Sequence, residues 1–225
     1  MCIRDSNNLL DLESALSTIL EFEYDQKQNS SENTNAAVIL KHNNPCGAAL
    51  ADSPSDAFRK ALDCDSTSAF GGIVAFNNNV DLAAAELLSN IFLECVVAPS
   101  FDKDALNILH NKKNLRLLQL NKENIKKDNK STFKSILGGI LEQDIDNEVD
   151  QTNEWSCVTQ IKPISEEFND LKFSWKICKH VKSNAIVISK NQQTIGIGAG
   201  QMNRVGAAKI ALDSAKDSAH GAVLA

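Results

Sequence analysis

The sequence lacks several features that would assign a chain to a specialised class. None of its apolar runs approaches the length needed to cross a bilayer, and no signal-like apolar segment follows a basic start. Its six cysteines are scattered without paired spacing, which favours reduced thiols over a disulfide framework. The net charge of -6 argues against a general nucleic-acid binder, which would carry a basic face. These absences predict a cytoplasmic, globular protein with neither a nucleic-acid nor a membrane partner.

Two common nucleotide-binding motifs are also absent. The sequence contains no G-x-x-x-x-G-K-[ST] phosphate loop, and Gly196-x-Gly198-x-Gly200 differs from the G-x-G-x-x-G of a dinucleotide fold. No regular internal repeat is detected. What is present is an alternation of short apolar runs with helical patterns over 225 residues. This alternation predicts an α/β fold.

The most informative stretch is residues 40–47, Leu-Lys-His-Asn-Asn-Pro-Cys-Gly. The apolar residues 36–40 predict a buried strand, and the Asn-Pro pair with the following Gly predicts a turn. Lys41 and His42 therefore lie at the end of a strand, where open α/β sheets usually bind their ligands. A solvated strand end with an ordinary polar residue would explain the same pair.

Two further polar clusters lie beside predicted strands. Residues 182–184 precede an apolar strand at 185–188, and residues 201–204 follow a small-residue strand at 194–200. Arg204, at the start of a helix, would suit an anionic group held by its guanidinium and by backbone N–H groups. A closely packed strand beside a surface arginine is the alternative interpretation.

The remaining pattern predicts helices and strands along most of the chain. Adjacent Gly71 and Gly72 indicate a positive φ, a close approach by a ligand or a plain tight turn. The helix over 163–180 is defined by Phe168, Leu171, Trp175 and Cys178 at helical spacing. The predicted helices are 7–20, 54–62, 81–89, 102–110, 163–180 and one from 201, and the other predicted strands are 73–76, 92–99, 115–120 and a hairpin around 138–139.

The residue types around His42 allow three kinds of chemistry. His42 and Cys46 partly match the H-x-E…P-C-x-x-C pattern of zinc deaminases, but Asn44 replaces the glutamate and Ala49 replaces the second cysteine. The ligand set is incomplete, so we expect no catalytic metal. Cys46 could instead act as a nucleophile with His42 as its base.

The preferred interpretation makes His42 a general base and Lys41 the group that stabilises developing negative charge. Acyl transfer to a poorly basic amine needs both functions, because the amine must lose a proton and the acceptor oxygen gains charge. Asn184 could orient the substrate or the base. The residues therefore predict acyl transfer without a metal.

Several blocks of the sequence together resemble the AICAR transformylase domain of the bifunctional AICAR formyltransferase/IMP cyclohydrolase family. The blocks occur in family order at 7–11, 40–47, 65–76, 94–101, 173–187 and 195–205. This resemblance implies mixed sheets with helices packed on them, in two related subdomains of the cytidine-deaminase-like class. The expected division is a non-native leader at 1–6, subdomains at 7–120 and 161–225, and a variable connection at 121–160.

The resemblance also implies a reaction, the transfer of a formyl group from 10-formyltetrahydrofolate to the 5-amino group of AICAR in purine biosynthesis. His42 matches the family's proton acceptor, and Lys41 matches its transition-state stabiliser. Substrate-binding positions are matched by Gly71, Glu94, Asn184 and Arg204, and a folate-contacting backbone position is matched by Val205.

Family members are homodimers with shared active sites, and a monovalent cation could order the 182–184 loop. The IMP cyclohydrolase domain and the C-terminal part of the second subdomain are missing from the sequence, so we expect a fragment with little or no activity alone. Two alternatives remain: a non-catalytic module that binds a phosphoribosyl ligand, and a zinc-free relative of the nucleotide deaminases.

Overall fold

The fold is seen in a computed structural model that describes residues 3–22, 34–120, 131–146 and 154–225. Of the described helices, none has both the length and the hydropathy that crossing a bilayer requires. The helices are α1 Ile3–Leu20, α2 Pro54–Cys64, α3 Ser66–Ala69, α4 Leu82–Ser89, α5 Lys103–Leu109, α6 Ser165–Lys179 and α7 Arg204–Ala215, with a 3₁₀ turn at Lys216–Ala219. The strands are β1 Asn35–Lys41, β2 Asn44–Ala51, β3 Gly72–Phe76, β4 Leu93–Ala98, β5 Arg116–Gln119, β6 Ser131–Ile136, β7 Gly139–Asp144, β8 Ile186–Lys190, β9 Gln193–Gly198 and β10 Val223–Leu224.

Eight of the strands form one mixed sheet in the order β10-β8-β9-β2-β1-β3-β4-β5. Strands β3, β4 and β5 are parallel to one another, whereas β1 runs antiparallel to both β2 and β3. The carboxyl end of β1 therefore lies at the amino ends of the parallel strands. The predicted hairpin around 138–139 is confirmed as the separate pair β6–β7.

Helices cover both faces of the sheet, which confirms the α/β class. The alternating side chains of β1 divide between the two cores, because successive residues of a strand point to opposite faces. Ile39 packs in the core that includes residues of α2, α4 and α5. Val38 and Leu40 pack in the core that includes residues of α1 and α6. The finer cytidine-deaminase-like label and the subdomain boundaries remain predictions.

A helix–hairpin–helix unit occurs twice in the structure, although no regular repeat is detectable in the sequence. The first unit is α1, β1, β2 and α2, and the second is α6, β8, β9 and α7. Both hairpins close with two-residue loops, since Lys41 pairs with Asn44 in the first and Lys190 pairs with Gln193 in the second. Strands β2 and β9 are neighbours, so the two units share the sheet.

Close strand–helix packing is repeated in the two units. A Cβ atom on Gly47 of β2 would collide with the carbonyl oxygen of Ala61 in α2. A Cβ atom on Gly198 of β9 would collide with the carbonyl oxygen of Ala207 in α7 in the same way. Of the two interpretations of the 194–200 strand, close packing therefore accounts for Gly198.

Three details differ from the sequence-based expectations in and around the first hairpin. Pro45 does not form the turn: it lies in β2 opposite Leu40, at an irregularity in the ladder. The turn is made instead by His42 and Asn43, both of which have positive φ. Helix α1 begins at Ile3, so it includes part of the segment that we assigned to a leader.

Helix α6 forms where the sequence predicted it, but a different face is buried. Trp175 is 54% exposed, whereas Phe173 and Ile177 lie in the core. Asp170 and Ser174 are also buried on this face, where Asp170 binds the β8–β9 turn and Ser174 bonds to Ser189. These buried polar residues break the apolar pattern, which is why periodicity pointed to the wrong stripe.

Candidate active site

The predicted polar clusters lie at one edge of the sheet. Lys41 and His42 end β1, and Asn44 begins β2 beside them. Because β9 is antiparallel to β2, its carboxyl end reaches the same edge, and the segment 199–204 follows it there. The amino ends of β3 and β4 complete the edge from the other side.

Lys41 is fixed by the backbone at the start of β3. Its Nζ donates to the carbonyl oxygens of Phe70 and Gly71, at 2.8 Å and 3.0 Å. An ammonium group has three N–H donors, so these two bonds leave one donor for another acceptor. Lys41 is therefore a positioned cation rather than a freely solvated strand end.

Gly71 has a structural reason to be glycine. Its φ is +70°, in the left-handed region that favours glycine. A Cβ atom at this position would lie 2.9 Å from the Lys41 Nζ and would displace the ammonium group. The positive φ that the adjacent glycines predicted is confirmed at Gly71, and the close neighbour is Lys41.

His42 occupies the first position of the β1–β2 loop. Its φ is 51°, and the φ of Asn43 is 61°, which matches the two left-handed positions of a type I′ turn. Asp11 of α1 accepts the Asn43 backbone N–H at 2.6 Å, and the Asn44 side chain donates to the His42 carbonyl oxygen at 3.1 Å. The His42 side chain is exposed at the rim of a cavity.

Asn44, for which the sequence predicted no role, links the two halves of this edge. Its Oδ1 accepts the Lys182 backbone N–H at 3.0 Å. The 182–184 loop is tied in turn to the segment after β9, because Asn184 Nδ2 donates to the Gln201 carbonyl oxygen at 2.9 Å. The signal for Asn44 was its position two residues after His42 in the quoted stretch.

A cavity of about 260 Å³ opens beside these residues. Lys41, His42 and Asn44 line it from the first hairpin, and Ala199 lines it from the segment after β9. Asp65 and Ser68 of the α3 turn form another part of the wall. The structure thus places the predicted base and the predicted cation on one cavity.

Cys46 lines the same cavity but is poorly suited to nucleophilic attack. Burial raises the pKa of its thiol to about 12, and its Sγ donates to the Ile39 carbonyl oxygen at 3.4 Å. The reactive thiolate is therefore scarce at neutral pH. Burial also raises the pKa values of Cys64 and Cys95, whereas Cys157 is exposed.

The other predicted site residues lie outside this cavity wall. Glu94, on β4, forms an ion pair with Arg116 at 3.2 Å. Arg204 and Val205 are exposed at the start of α7, and the Arg204 guanidinium makes no hydrogen bond or ion pair with a described residue. In the described segments, no group of three or more His, Cys, Asp or Glu side chains is placed to hold a metal ion.

Comparisons with known proteins give the family. A model of the AICARFT/IMPCHase bienzyme family matches residues 5–214. The bifunctional purine biosynthesis protein PurH of Prochlorococcus marinus strain MIT 9515 is 63% identical over 219 residues, which cover 97% of this chain and 42% of that protein. PurH from P. marinus subsp. pastoris is 62% identical over the same shares, and PurH from strain NATL2A is 56% identical over 98% of this chain and 42% of its own.

The chain thus spans about two fifths of the length of the curated relatives it matches. The family match covers nearly all of both helix–hairpin–helix units and the edge of the sheet that carries Lys41 and His42. The chain belongs to the AICARFT/IMPCHase bienzyme family.

Proposed function

We propose that the intact protein carrying this chain transfers a formyl group from 10-formyltetrahydrofolate to the 5-amino group of AICAR, and that this chain supplies the base and the cation for that step. The observation that carries the proposal is the position of Lys41 and His42 together on one cavity. The relatives' name, bifunctional purine biosynthesis protein, supports this assignment of substrate class.

In the proposed reaction the 5-amino nitrogen attacks the formyl carbon, the bond from that carbon to the folate N10 breaks, and N10 takes up a proton as tetrahydrofolate leaves. His42 takes the proton that the attacking amine loses, because its side chain is exposed at the rim of the cavity. The remaining N–H donor of Lys41 stabilises the oxygen that gains charge during attack. Asn184 orients the substrate or the base.

We assign substrate binding to residues around the same edge. The backbone at Gly71 lets the ribotide approach, and the exposed Arg204 guanidinium suits an anionic phosphate at the start of α7. Glu94 and Asn184 bind the polar parts of the ribotide, and the Val205 backbone contacts the folate. No step requires a metal ion.

The deciding experiment measures formyl transfer by the intact protein and by its His42→Ala variant, with AICAR binding followed by calorimetry. A general base contributes on the order of 10²–10⁴-fold, so kcat should fall by that factor while AICAR binding is retained. His110→Ala is the matched control, since it removes an exposed imidazole from the end of α5, away from the cavity.

Each alternative predicts a different result. A wild-type protein that binds AICAR without turnover would favour the non-catalytic binding module. Unchanged turnover in His42→Ala would support the formyltransferase activity but show that His42 is not its general base. Release of ammonia from a nucleotide by the zinc-free protein would favour the zinc-free relative of the deaminases, whereas a stoichiometric zinc content would favour a zinc deaminase.

The remaining family properties belong to the same proposal. We infer a homodimer with shared active sites, cytoplasmic residence and a monovalent cation that orders the 182–184 loop. Sedimentation velocity of the intact protein tests the dimer. Potassium titration of AICAR binding tests the cation, and unchanged affinity across the titration would reject it.

A further inference from the structure

The loop that carries His42 is held from outside the hairpin by a carboxylate of α1. Asp11 Oδ1 accepts the backbone N–H of Asn43, the second loop residue, at 2.6 Å. Ser14, one turn further along α1, approaches the Asn43 side-chain oxygen at 3.4 Å. Since His42 and Asn43 both need left-handed φ values, this bond favours a conformation that a histidine seldom adopts by itself.

An equivalent contact between a helix aspartate and the loop occurs in the second hairpin. Asn191 and Gln192 form its two-residue loop, with φ values of 55° and 53°. Asp170 of α6 accepts both of their backbone N–H groups, at 2.8 Å and 2.6 Å. In both units, therefore, an aspartate Oδ1 from the preceding helix lies 2.6 Å from the nitrogen of the second loop residue.

We propose that Asp11 is a positioning residue for the reaction: by holding the His42–Asn43 loop in its type I′ conformation, it keeps the His42 imidazole at the cavity. Asp11 acts through the backbone of the loop, so substrate contact is not part of its role. The effect on turnover rests on the proposed function. Hydrogen exchange at Asn43 and the NMR signal of His42 can be measured whether or not the protein turns over.

The effect on His42 follows from the geometry of a two-residue loop. Lys41 and Asn44 are a cross-strand pair, and only His42 and Asn43 connect them. A change in the dihedral angles of Asn43 must therefore be taken up by His42, because both loop ends are fixed by the sheet. Lys41 remains bound to Phe70 and Gly71, so losing Asp11 should misplace the base more than the cation.

The test compares Asp11→Ala, Asp11→Asn and Glu13→Ala in the intact protein. Glu13 is the matched control, because it is an exposed carboxylate on the same helix. Three quantities are measured: hydrogen exchange of the Asn43 amide, the NMR signal of the His42 ring, and kcat and KM for AICAR formylation.

In Asp11→Ala we expect the Asn43 amide to exchange about tenfold faster or more, since its charged acceptor is lost. The His42 ring signal should shift, and kcat should fall by about ten- to a hundredfold with a smaller change in KM, because small misplacements of a catalytic group are costly. Asp11→Asn should keep the Asn43 exchange rate, the His42 signal and kcat close to their wild-type values, since the amide oxygen can accept the same N–H. Glu13→Ala should change none of the three.

Two results would overturn the proposal. Faster exchange at Asn43 with an unmoved His42 signal and unchanged kcat would make Asp11 a stabilising residue only. An Asp11→Asn variant as impaired as Asp11→Ala would show that the hydrogen-bond geometry is not what matters. If the wild type fails to turn over, formyl transfer is rejected, while exchange and the His42 signal still decide the role of Asp11.

Discussion

The two hairpins of the sheet have the same loop conformation and differ in the side chains of their loops. The first reads Lys41-His42-Asn43-Asn44, and the second reads Lys190-Asn191-Gln192-Gln193. Lys41 donates to two backbone carbonyl oxygens and Lys190 donates to one, and in each hairpin a helix aspartate binds the loop. Only the first loop contains a histidine, the residue type that most often serves as a general base.

The two loops also lie at opposite edges of the sheet. Asn44 begins β2 at one edge, whereas the second loop lies beside Ala49 and Leu50 near the other end of β2. Asp170 is only 6% exposed and makes two loop bonds, so the second hairpin is held as part of the core. The same helix–hairpin–helix unit can therefore place its loop beside a cavity or hold it in the core, depending on the edge at which the loop lies.

Replacing His42 with the residue type that begins the second loop should produce the largest effect, a loss of formyl transfer. His42→Asn gives the first loop the Lys-Asn start of the second, and asparagine tolerates left-handed φ well. We expect formyl transfer to fall on the order of 10²–10⁴-fold, with the urea midpoint unchanged or slightly raised. Asn191→His is the reciprocal control and should leave turnover intact. Comparable turnover in His42→Asn and wild type would remove the functional difference between the loops.

Removing each aspartate in turn should lower the free energy of unfolding by different amounts, with the larger loss at the second loop. Asp170→Ala leaves two backbone N–H groups without their charged acceptor, so we expect a loss of about 3 kcal/mol in the free energy of unfolding. Asp11→Ala breaks one bond at a more exposed loop and should cost about 1–2 kcal/mol. Urea unfolding of both variants measures the difference. Equal losses would mean that burial of the second loop adds nothing to its stability.

The smallest expected difference concerns the glycines that face the helices. Gly47→Ala and Gly198→Ala each place a Cβ atom against a helix carbonyl oxygen, and overpacking of this kind costs about 1–3 kcal/mol. Gly139→Ala is the control, because no heavy atom lies within 4 Å of its Cβ position. Urea midpoints should fall similarly in the first two variants. A loss confined to one would show that the two units are packed differently.

Much of the fold was predictable because local signals agreed with tertiary structure. Ser53 before Pro54 marked the start of α2, and Asp81 marked the start of α4, as their capping bonds confirm. Strand β2 was missed, because its small residues and Pro45 look like a turn in isolation. The buried face of α6 was also missed, since Asp170 and Ser174 are core residues only when the second hairpin packs on them.

The candidate site was predicted in part. Lys41 and His42 could be chosen from sequence, because residue types and a strand end suffice to suggest proton transfer. The convergence of Asn44 with the 182–184 loop could not, since their hydrogen bond joins residues 138 positions apart. Asp11 was hidden for the same reason: its bond to Asn43 spans 32 positions.

By itself the sequence determined the α/β class, most element positions and the Lys41–His42 pair, because strand periodicity, capping residues and residue chemistry are local properties. Tertiary structure alone decided that the polar clusters meet at one edge, that Gly198 serves packing, and that Asp11 binds the backbone of the His42–Asn43 loop. These relations depend on strand order and on the register between distant segments, which become fixed only when the sheet and its helices assemble.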